Sequence, residues 1–295
     1  MPDPSQVSVV IPTTGRPELL RAVQSALGQT RPPLGVLVGD DGKDELPQLP
    51  QASNLRVLRT GGKGPNAARA MGIQAAGGAL IALLDDDDWW FPQKLERQLA
   101  TIPERDTTNW FSVCRTLIHG RGRPRISPAV GPESQSVSSY LLRRRQVRSG
   151  RQTMPTPTIV APRDLFLRIP LDESLWIHED LDWLIRASKE AVVYFCDEVL
   201  VVITRLQQAR LTTTTSWQTS LAWADSRKNI LDPREYADFC LTMPWSLATR
   251  ARDSAAYPVL LRRAWKAGRP SLPAIIYAAA QVGRNIILAR RGGQR

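Results

Sequence analysis

Four consecutive aspartates, Asp85-Asp86-Asp87-Asp88, follow directly on the apolar run Ala79 to Leu84 and precede Trp89, Trp90, Phe91 and Pro92. An apolar run of that length, bounded by Gly77-Gly78, has the pattern of a strand buried on both faces. Four carboxylates cannot continue it into a core, because two neighbours ~4 Å apart repel by roughly 4 kcal/mol at an effective dielectric of ~20. The strand must end at the rim of a sheet, with the acids just past its carboxyl end. Open α/β sheets bind their ligands there, and something positive is expected to meet the acids. Side chains alternate in extended chain, so Asp85 and Asp87 can point the same way. A D-x-D pair of that kind can hold a divalent ion, since magnesium takes one or two protein carboxylates and completes its shell with water and phosphate oxygens. The plainer alternative is a solvated turn in which Asp88 caps a helix opened by Pro92.

The residues before this run repeat one pattern. Val7 to Ile11 is a β-branched run stopped by Pro12, and Thr13-Thr14-Gly15-Arg16 turns the chain before Pro17 opens a helix carrying Leu19, Leu20, Val23, Ala26 and Leu27. A strand over Leu34 to Val38 runs into Gly39-Asp40-Asp41-Gly42. A third, Leu55 to Leu58, leads through Gly61-Gly62-Lys63-Gly64 to a helix beginning near Pro65. The phosphate-loop pattern G-x-x-x-x-G-K-[ST] is absent, so the glycine cluster reads as a turn, from which Lys63 and Arg69 could still face a diphosphate. Alternating strands and helices predict an α/β fold with a parallel sheet covered on both faces. Right-handed crossovers then bring Pro12-Thr13, Asp40-Asp41 and Asp85 to Asp88 to one edge.

Later segments are less regular. The segment from Arg115 to Arg163, both included, holds ten arginines and one acid, Glu133, among Pro, Gly and Ser; loops are expected there, around a strand at Trp110 to Ile118 and a helix near Ser138 to Arg145. This basic stretch could clamp a phosphorylated group or be a surface excursion. Thr158 to Val160 reads as a strand and Arg163 to Arg168 as a short helix. Glu179-Asp180 opens a helix, where acids are favoured by the helix dipole. Strands over Val192 to Cys196 and Val199 to Ile203 follow, then Arg205, Arg210 and a loop at Thr212 to Thr215. From Ser216 onward the pattern is helical: Trp217 to Leu231, Pro233 to Leu241, Ala255 to Ala267 and Pro273 to Arg291.

Charge and cysteine usage narrow the classes. The chain carries a net +11, distributed as −1 over residues 1–100, +4 over 101–210 and +8 over 211–295. An anionic partner for the later part is expected, and the last helix either packs on the catalytic domain or, as a basic amphipathic helix, lies on anionic lipid. Nucleic acid fits poorly, because the arginines lack interleaved aromatic stacking residues and the aspartate run would repel a phosphate backbone. Cys114, Cys196 and Cys240 are few and scattered, which suggests neither a disulfide framework nor a thiolate metal site. No leader pattern opens the chain and no run of ~18 apolar residues occurs. A cytoplasmic location, or one peripheral to the inner face of the membrane, is expected.

The segments VSVVIPTTGRPELLRAVQSALGQT, VLVGDDG, GPNAARAMGIQAAGGALIALLDDDDWWFPQKLE and HEDLDWLIRA, in that order over residues 5–205, resemble the successive motifs of family 2 glycosyltransferases. The resemblance implies a GT-A type nucleotide-binding sheet flanked by helices over residues 1–210, with 211–295 a helical extension. It implies transfer of a sugar from a nucleotide diphosphate sugar to a hydroxyl acceptor, whether a glycan, a lipid-linked glycan or a small molecule, with inversion and with Mn2+ or Mg2+. By position, Pro12 and Thr13 line the base and ribose pocket, Arg16 and Lys63 lie beside the donor, and Asp41, or Asp40, accepts from the base. The spacing to Pro92 matches D-x-D-D-x-x-x-P. On that resemblance Asp87 is the first metal ligand, Asp85 pairs with it as the other D-x-D acid, Asp85 or Asp86 reaches the ribose or the ion, and Asp88 is structural. Arg69 holds the place of a family arginine near the donor, and Asp180 that of the catalytic base, with Glu179 the alternative and Asp182 third. The chain departs from the family at Thr14, Gly15 and Ala70, which leaves the donor base and sugar open; a related nucleotidyltransferase is the alternative class. A metal-closing histidine is missing near Thr212 to Thr215, where Arg205 could substitute.

Overall fold

The computed structural model describes residues 6–104, 109–120, 122–147, 152–205 and 215–292. The chain divides into two compact units, Met1–Gly131 with Thr153–Gln207, and Pro132–Gln152 with Gln208–Arg295. Arg210 and most of the Thr212 to Thr215 loop, and the side chain of Arg205, lie outside the described residues.

In the first unit β1 (Val7–Thr13) is buried at every position. It pairs in parallel with β2 (Gly35–Asp40) on one side and β4 (Leu80–Leu83) on the other, and β3 (Leu55–Arg59) pairs in parallel with β2. Residues such as Val9, Ile11, Val36 and Val38 have no exposed surface, which is what β-branched side chains covered on both faces of a sheet produce. Helix α1 (Leu19–Leu27) buries Leu19, Ala22, Val23 and Ala26 on one stripe. Each large apolar side chain buried in this way stabilises the fold by ~1.5–3 kcal/mol.

Helix α2 (Pro65–Ala75) begins after Gly64, whose φ of 98° is accessible to glycine without strain, and Pro65 occupies the first turn, where its missing N–H costs nothing. Gly72 brings this helix close to β1: a Cβ added there would lie 2.5 Å from Val10 Cγ1. Arg69, one turn earlier on the same helix, is thereby held near the ends of the parallel strands.

Beyond β4 the sheet becomes mixed. Two-residue β5 (Trp89–Trp90) lies just past the aspartates and precedes α3 (Lys94–Leu99); then come β6 (Trp110–Gly120), β7 (Arg125–Ser127), β8 (Val160–Pro162), α5 (Arg163–Arg168), α6 (Glu179–Ala187) and β9 (Val192–Arg205). The strand order is β3-β2-β1-β4-β8-β6-β9-β5, with β7 on β6. Strand β8 runs antiparallel to β4 and β6, and β5 runs antiparallel to β9. Thr156–Thr158 form a 3-10 turn, so the predicted strand at Thr158 to Val160 starts only at Val160. The two strands predicted over 192–203 are one strand, with register irregularity against β6 beside Arg115. Lys94 is an unusual member of this core: its ammonium lies 4.0 Å from the Trp90 ring centroid, and burial lowers its pKa to about 7.

The second unit holds α4 (Val137–Leu142), α7 (Trp217–Ser226), α8 (Pro233–Ala251), α9 (Ala256–Ala267) and α10 (Leu272–Gly292). Asp232 and Glu235 form a capping box at the start of α8. Residues 132–152 join this unit because Ser138 Oγ donates to Glu235 Oε1 (2.9 Å) and the Arg144 N–H donates to Asp238 Oδ2 (3.0 Å). The expected division at residue 210 did not include this excursion. Helix α8 continues past the predicted end at Leu241, with Pro244 inside it. The first half of α10 packs on α8, burying Ala274 and Ala278, whose carbonyl accepts from Trp245 Nε1 at 3.0 Å. Among the described residues no helix is long and apolar enough to cross a membrane.

Replacing Gly72 by alanine tests the helix-to-sheet approach. Overpacking of this kind costs ~1–3 kcal/mol, so G72A should unfold at lower urea concentration than wild type with an unchanged m-value. A wild-type midpoint would show that α2 does not sit this close to β1.

Candidate active site

The carboxyl ends of β1, β2 and β4 lie side by side, with Thr13 opposite Asp40 in register and the Asp41 N–H donating to the Thr13 carbonyl at 2.8 Å. The aspartate run follows β4 by one residue, and its four carboxylates go to four different places. Asp85 Oδ1 accepts from Arg69 Nη2 at 2.7 Å. Asp86 Oδ2 accepts from Thr13 Oγ1 at 2.7 Å. Asp87 Oδ2 lies 3.4 Å from Arg16 Nη1. Asp88 Oδ1 accepts from the backbone N–H of Thr204, on β9, at 2.9 Å. The Arg69 and Arg16 guanidinium groups, with donors from Thr13 and Thr204, answer the repulsion expected of the run.

Each partner is set by local structure. Thr13 Oγ1 also accepts from the Gly15 N–H at 3.0 Å, fixing the hydroxyl that faces Asp86. Gly15 has φ +91°, and the turn it makes leads to Arg16, which reaches both Asp87 and Asp86 (3.6 Å). Burial raises the Asp86 pKa to about 6, against the Thr13 hydrogen bond and the Arg16 charge that lower it. Arg21 braces the run from α1: Nη2 donates to the Asp87 carbonyl at 3.2 Å while the guanidinium lies 3.7 Å from the Trp89 ring centroid.

At the end of β2, Asp40 is buried, accepts from the Gly42 N–H at 3.0 Å and pairs with Arg59 at 3.6 Å. Asp41 accepts from Thr60 Oγ1 (2.5 Å) and from the N–H groups of Lys63 (2.7 Å) and Gly64 (2.8 Å). Three of the roughly four lone-pair sites of its carboxylate thus hold the glycine loop closed. The Lys63 side chain itself is exposed.

Arg69 joins this edge to a second group of acids. It is 5 % exposed, and besides Asp85 it donates to Asn66 Oδ1 at 2.9 Å and approaches Glu179 Oε1 at 3.8 Å. Burial alone would lower its pKa, but the charges of Asp85 and Glu179 outweigh that and raise it. Asn66 in turn donates to the carbonyls of Asp172 (2.9 Å) and Leu175 (3.2 Å), fastening the turn before α6. His178 enters that helix with φ 62°, a left-handed conformation costly for a residue with a Cβ, of the kind that concentrates at functional sites. Glu179 and Asp180 follow as its first residues. Burial and the adjacent Asp180 push the Glu179 pKa up to about 7, opposed by Arg69. Asp180 Oδ1 accepts from the Leu181 N–H at 2.7 Å at the helix N-terminus, where a carboxylate is stabilised in its charged form. Asp182 is fully buried and bound by Arg186 Nε at 2.7 Å, a structural pair.

For a divalent ion the donor set is one of hard carboxylate oxygens on Asp87, 24 % exposed, and Asp85, 27 % exposed. Among the described residues no three His, Cys, Asp or Glu side chains come together as a metal cage. That chemistry fits a magnesium-like ion completed by water and substrate oxygens rather than an ion enclosed by protein.

Pro12, Thr13, Arg16, Asp40, Asp41, Lys63, Arg69 and Asp85 to Asp87 thus share one edge, and Arg69 brings Glu179 to it. Sequence reasoning missed Arg21, Asn66 and Trp176. The first two act through backbone carbonyls, which leave no sequence signal. Trp176, 54 % exposed, lies against Gly64, where an added Cβ would be 3.4 Å from its ring; an aromatic three residues ahead of the Glu-Asp pair was the available cue.

Residues 8–166 match the sequence profile of the family described as glycosyl transferase family 2. An uncharacterized glycosyltransferase of Rickettsia conorii is 30 % identical over 197 residues, 64 % of this chain and 31 % of its own. The succinoglycan biosynthesis protein ExoO of Rhizobium meliloti is 36 % identical over 101 residues, covering 32 % of this chain and 29 % of its own. The chain spans about a third of the length of the first curated relatives it matches. The crystal structure of S. aureus TarS 1-349 in complex with UDP-GlcNAc is similar in fold, with a TM-score of 0.63 at 18 % identity over 98 % of this chain and 92 % of that one.

The raised Glu179 pKa has a consequence for stability. The folded protein holds this proton more tightly than the unfolded chain, whose glutamate titrates near 4.5, so stability falls as pH rises from there to about 7. Asp86 adds a similar fall ending near 6. In E179Q the drop in Tm between pH 5 and pH 8 should be smaller than in wild type. Equal drops would place Glu179 outside the buried network.

Proposed function

The chain belongs to glycosyltransferase family 2, and on that footing we propose that it is an inverting, metal-assisted transferase. It moves a sugar from a nucleotide diphosphate sugar to an acceptor hydroxyl. The observation that carries this is the single Arg69 guanidinium bound to Asp85 and facing Glu179, which links the acids suited to the donor with those suited to the acceptor.

The donor nucleotide lies along Pro12, Thr13, Asp40 and Asp41. Arg16 and Lys63 supply positive charge toward the diphosphate, and Asp86, fixed by Thr13, faces the ribose. Asp41 contributes chiefly by holding the glycine loop in place. Asp87, with Asp85 as second carboxylate, would hold Mn2+ or Mg2+, which when bound stabilises the negative charge developing on the leaving diphosphate. Asp180 takes the proton from the acceptor hydroxyl as that oxygen bonds to the anomeric carbon, and the bond from that carbon to the diphosphate oxygen breaks. The products are the inverted glycoside and a nucleoside diphosphate. Glu179, which tends to keep its proton toward neutral pH, lets the adjacent Asp180 carry the negative charge of the pair. Orientation of both substrates on strand and helix ends supplies a large part of the acceleration. Trp176 offers a flat exposed face suited to an acceptor sugar ring. The acceptor class is a glycan, a lipid-linked glycan or a small molecule, and the basic later part of the chain suits an enzyme working at an anionic membrane surface.

Incubation with UDP-, GDP- and dTDP-sugars and manganese should release a nucleoside diphosphate; release of pyrophosphate would instead identify a nucleotidyltransferase. D180N should bind donor as wild type does and lose ~10²–10⁴-fold in kcat. D87A should lose metal-dependent donor binding. Full transfer activity in either variant would refute the assignments.

A further inference from the structure

The second unit contains an open pocket of ≈ 280 Å³ lined by Arg143, Arg144, Arg145, Ser271 and Pro273. Three successive arginines reach it because α4 ends at Leu142 and the chain leaves in extended conformation, with Arg143 at φ −80°, ψ 140°. The middle one is fixed. Its guanidinium stacks 3.9 Å from the Tyr277 ring centroid and donates from Nη2 to the Val147 carbonyl at 2.9 Å, while its own carbonyl accepts from Ser271 Oγ at 2.9 Å.

The flanking pair is less committed. Arg145 Nη2 has a long contact with Ser139 Oγ at 3.4 Å, and Arg143 Nε is buried without a hydrogen-bond partner. Among the described residues no acid forms an ion pair with either. The acid nearest in the bonding network, Asp238, is engaged by the wall: its oxygens accept from the Ser271 N–H (2.6 Å), Ser271 Oγ (2.8 Å) and the Arg144 N–H (3.0 Å). Burial lowers the Arg144 pKa, opposed by Tyr277.

We propose that this pocket is a binding site for a phosphoryl group, as a phosphate monoester or diester, made by Arg143, Arg144 and Arg145. Guanidinium forks match the oxygens of a phosphate in pairs, and the pocket gathers three of them. The phosphoryl group comes either from a soluble phosphate ester or from a lipid headgroup. Its binding does not depend on glycosyl transfer.

The test uses the full chain, at low ionic strength, with inorganic phosphate as the probe in calorimetric titration. The R143Q/R145Q double variant leaves the Arg144 stack and its backbone contacts in place, and an unchanged thermal melt confirms its fold. Phosphate binding should weaken at least ~10-fold in this variant, because charge-assisted hydrogen bonds are worth ~1.5–3 kcal/mol. Binding in R16Q, altered at the strand ends, should keep the site the double variant loses. Vesicles of phosphatidylcholine with and without phosphatidylglycerol distinguish the sources. Retention on the anionic vesicles that the double variant loses assigns the site to a headgroup; phosphate binding lost without such an effect assigns it to a soluble ester. Equal phosphate affinity in wild type and double variant, or no binding by wild type, overturns the proposal.

Discussion

A buried guanidinium between two carboxylates is the constraint around which the sheet unit is arranged. Arg69 is almost inaccessible to solvent, yet its charge is retained because Asp85 meets it at 2.7 Å and Glu179 stands 3.8 Å away. That charge offsets the repulsion between Asp85 and the neighbouring acids of the run. Removing one partner of a buried pair typically costs ~3–5 kcal/mol, because the remaining charge is left uncompensated. The position of Arg69 therefore has to be secured by packing, and the missing side chain at Gly72 and the φ of 98° at Gly64 secure it.

The other functional side chains are placed by regular elements in the same way. Thr13, Asp40 and the aspartate run stand at the ends of three adjacent parallel strands, so their spacing follows from sheet register. Asp41 and Asn66 serve as fasteners, one closing the glycine loop and the other tying α2 to the turn before α6. His178 carries the local strain of delivering Glu179 and Asp180 at a helix start. Sites held on strand and helix ends are better defined than sites on loops.

The parallel half of the sheet was legible in the sequence because Val7 to Ile11, Leu34 to Val38 and Ala79 to Leu84 are apolar on both faces and end in Pro, Gly or Asp. The Thr13–Asp86 bond joins residues 73 positions apart and has no local signal. Strand β8 starts two residues later than its β-branched run suggests, because Thr156–Thr158, with Pro157 inside, form a 3-10 turn first. The membership of residues 132–152 in the helical unit depends on Ser138 and Arg144 bonding to Glu235 and Asp238, and such pairs cannot be read from a single chain's pattern. Asp41 showed a different kind of gap. Its position is the one the family resemblance implies, but its hydrogen bonds go to the chain itself.

The central claim is that Arg69 couples the aspartate run to the Glu179-Asp180 pair, and a double-mutant cycle on stability measures it directly. D85N, E179Q and the double variant would be compared by urea unfolding in wild-type and R69M backgrounds. The coupling of Asp85 with Glu179 in the wild-type background should exceed ~0.5 kcal/mol, the limit for independent sites, and should change by a similar amount when Arg69 is replaced. Additive effects in both backgrounds would contradict the account, because the two groups of acids would then be neighbours without a shared charge.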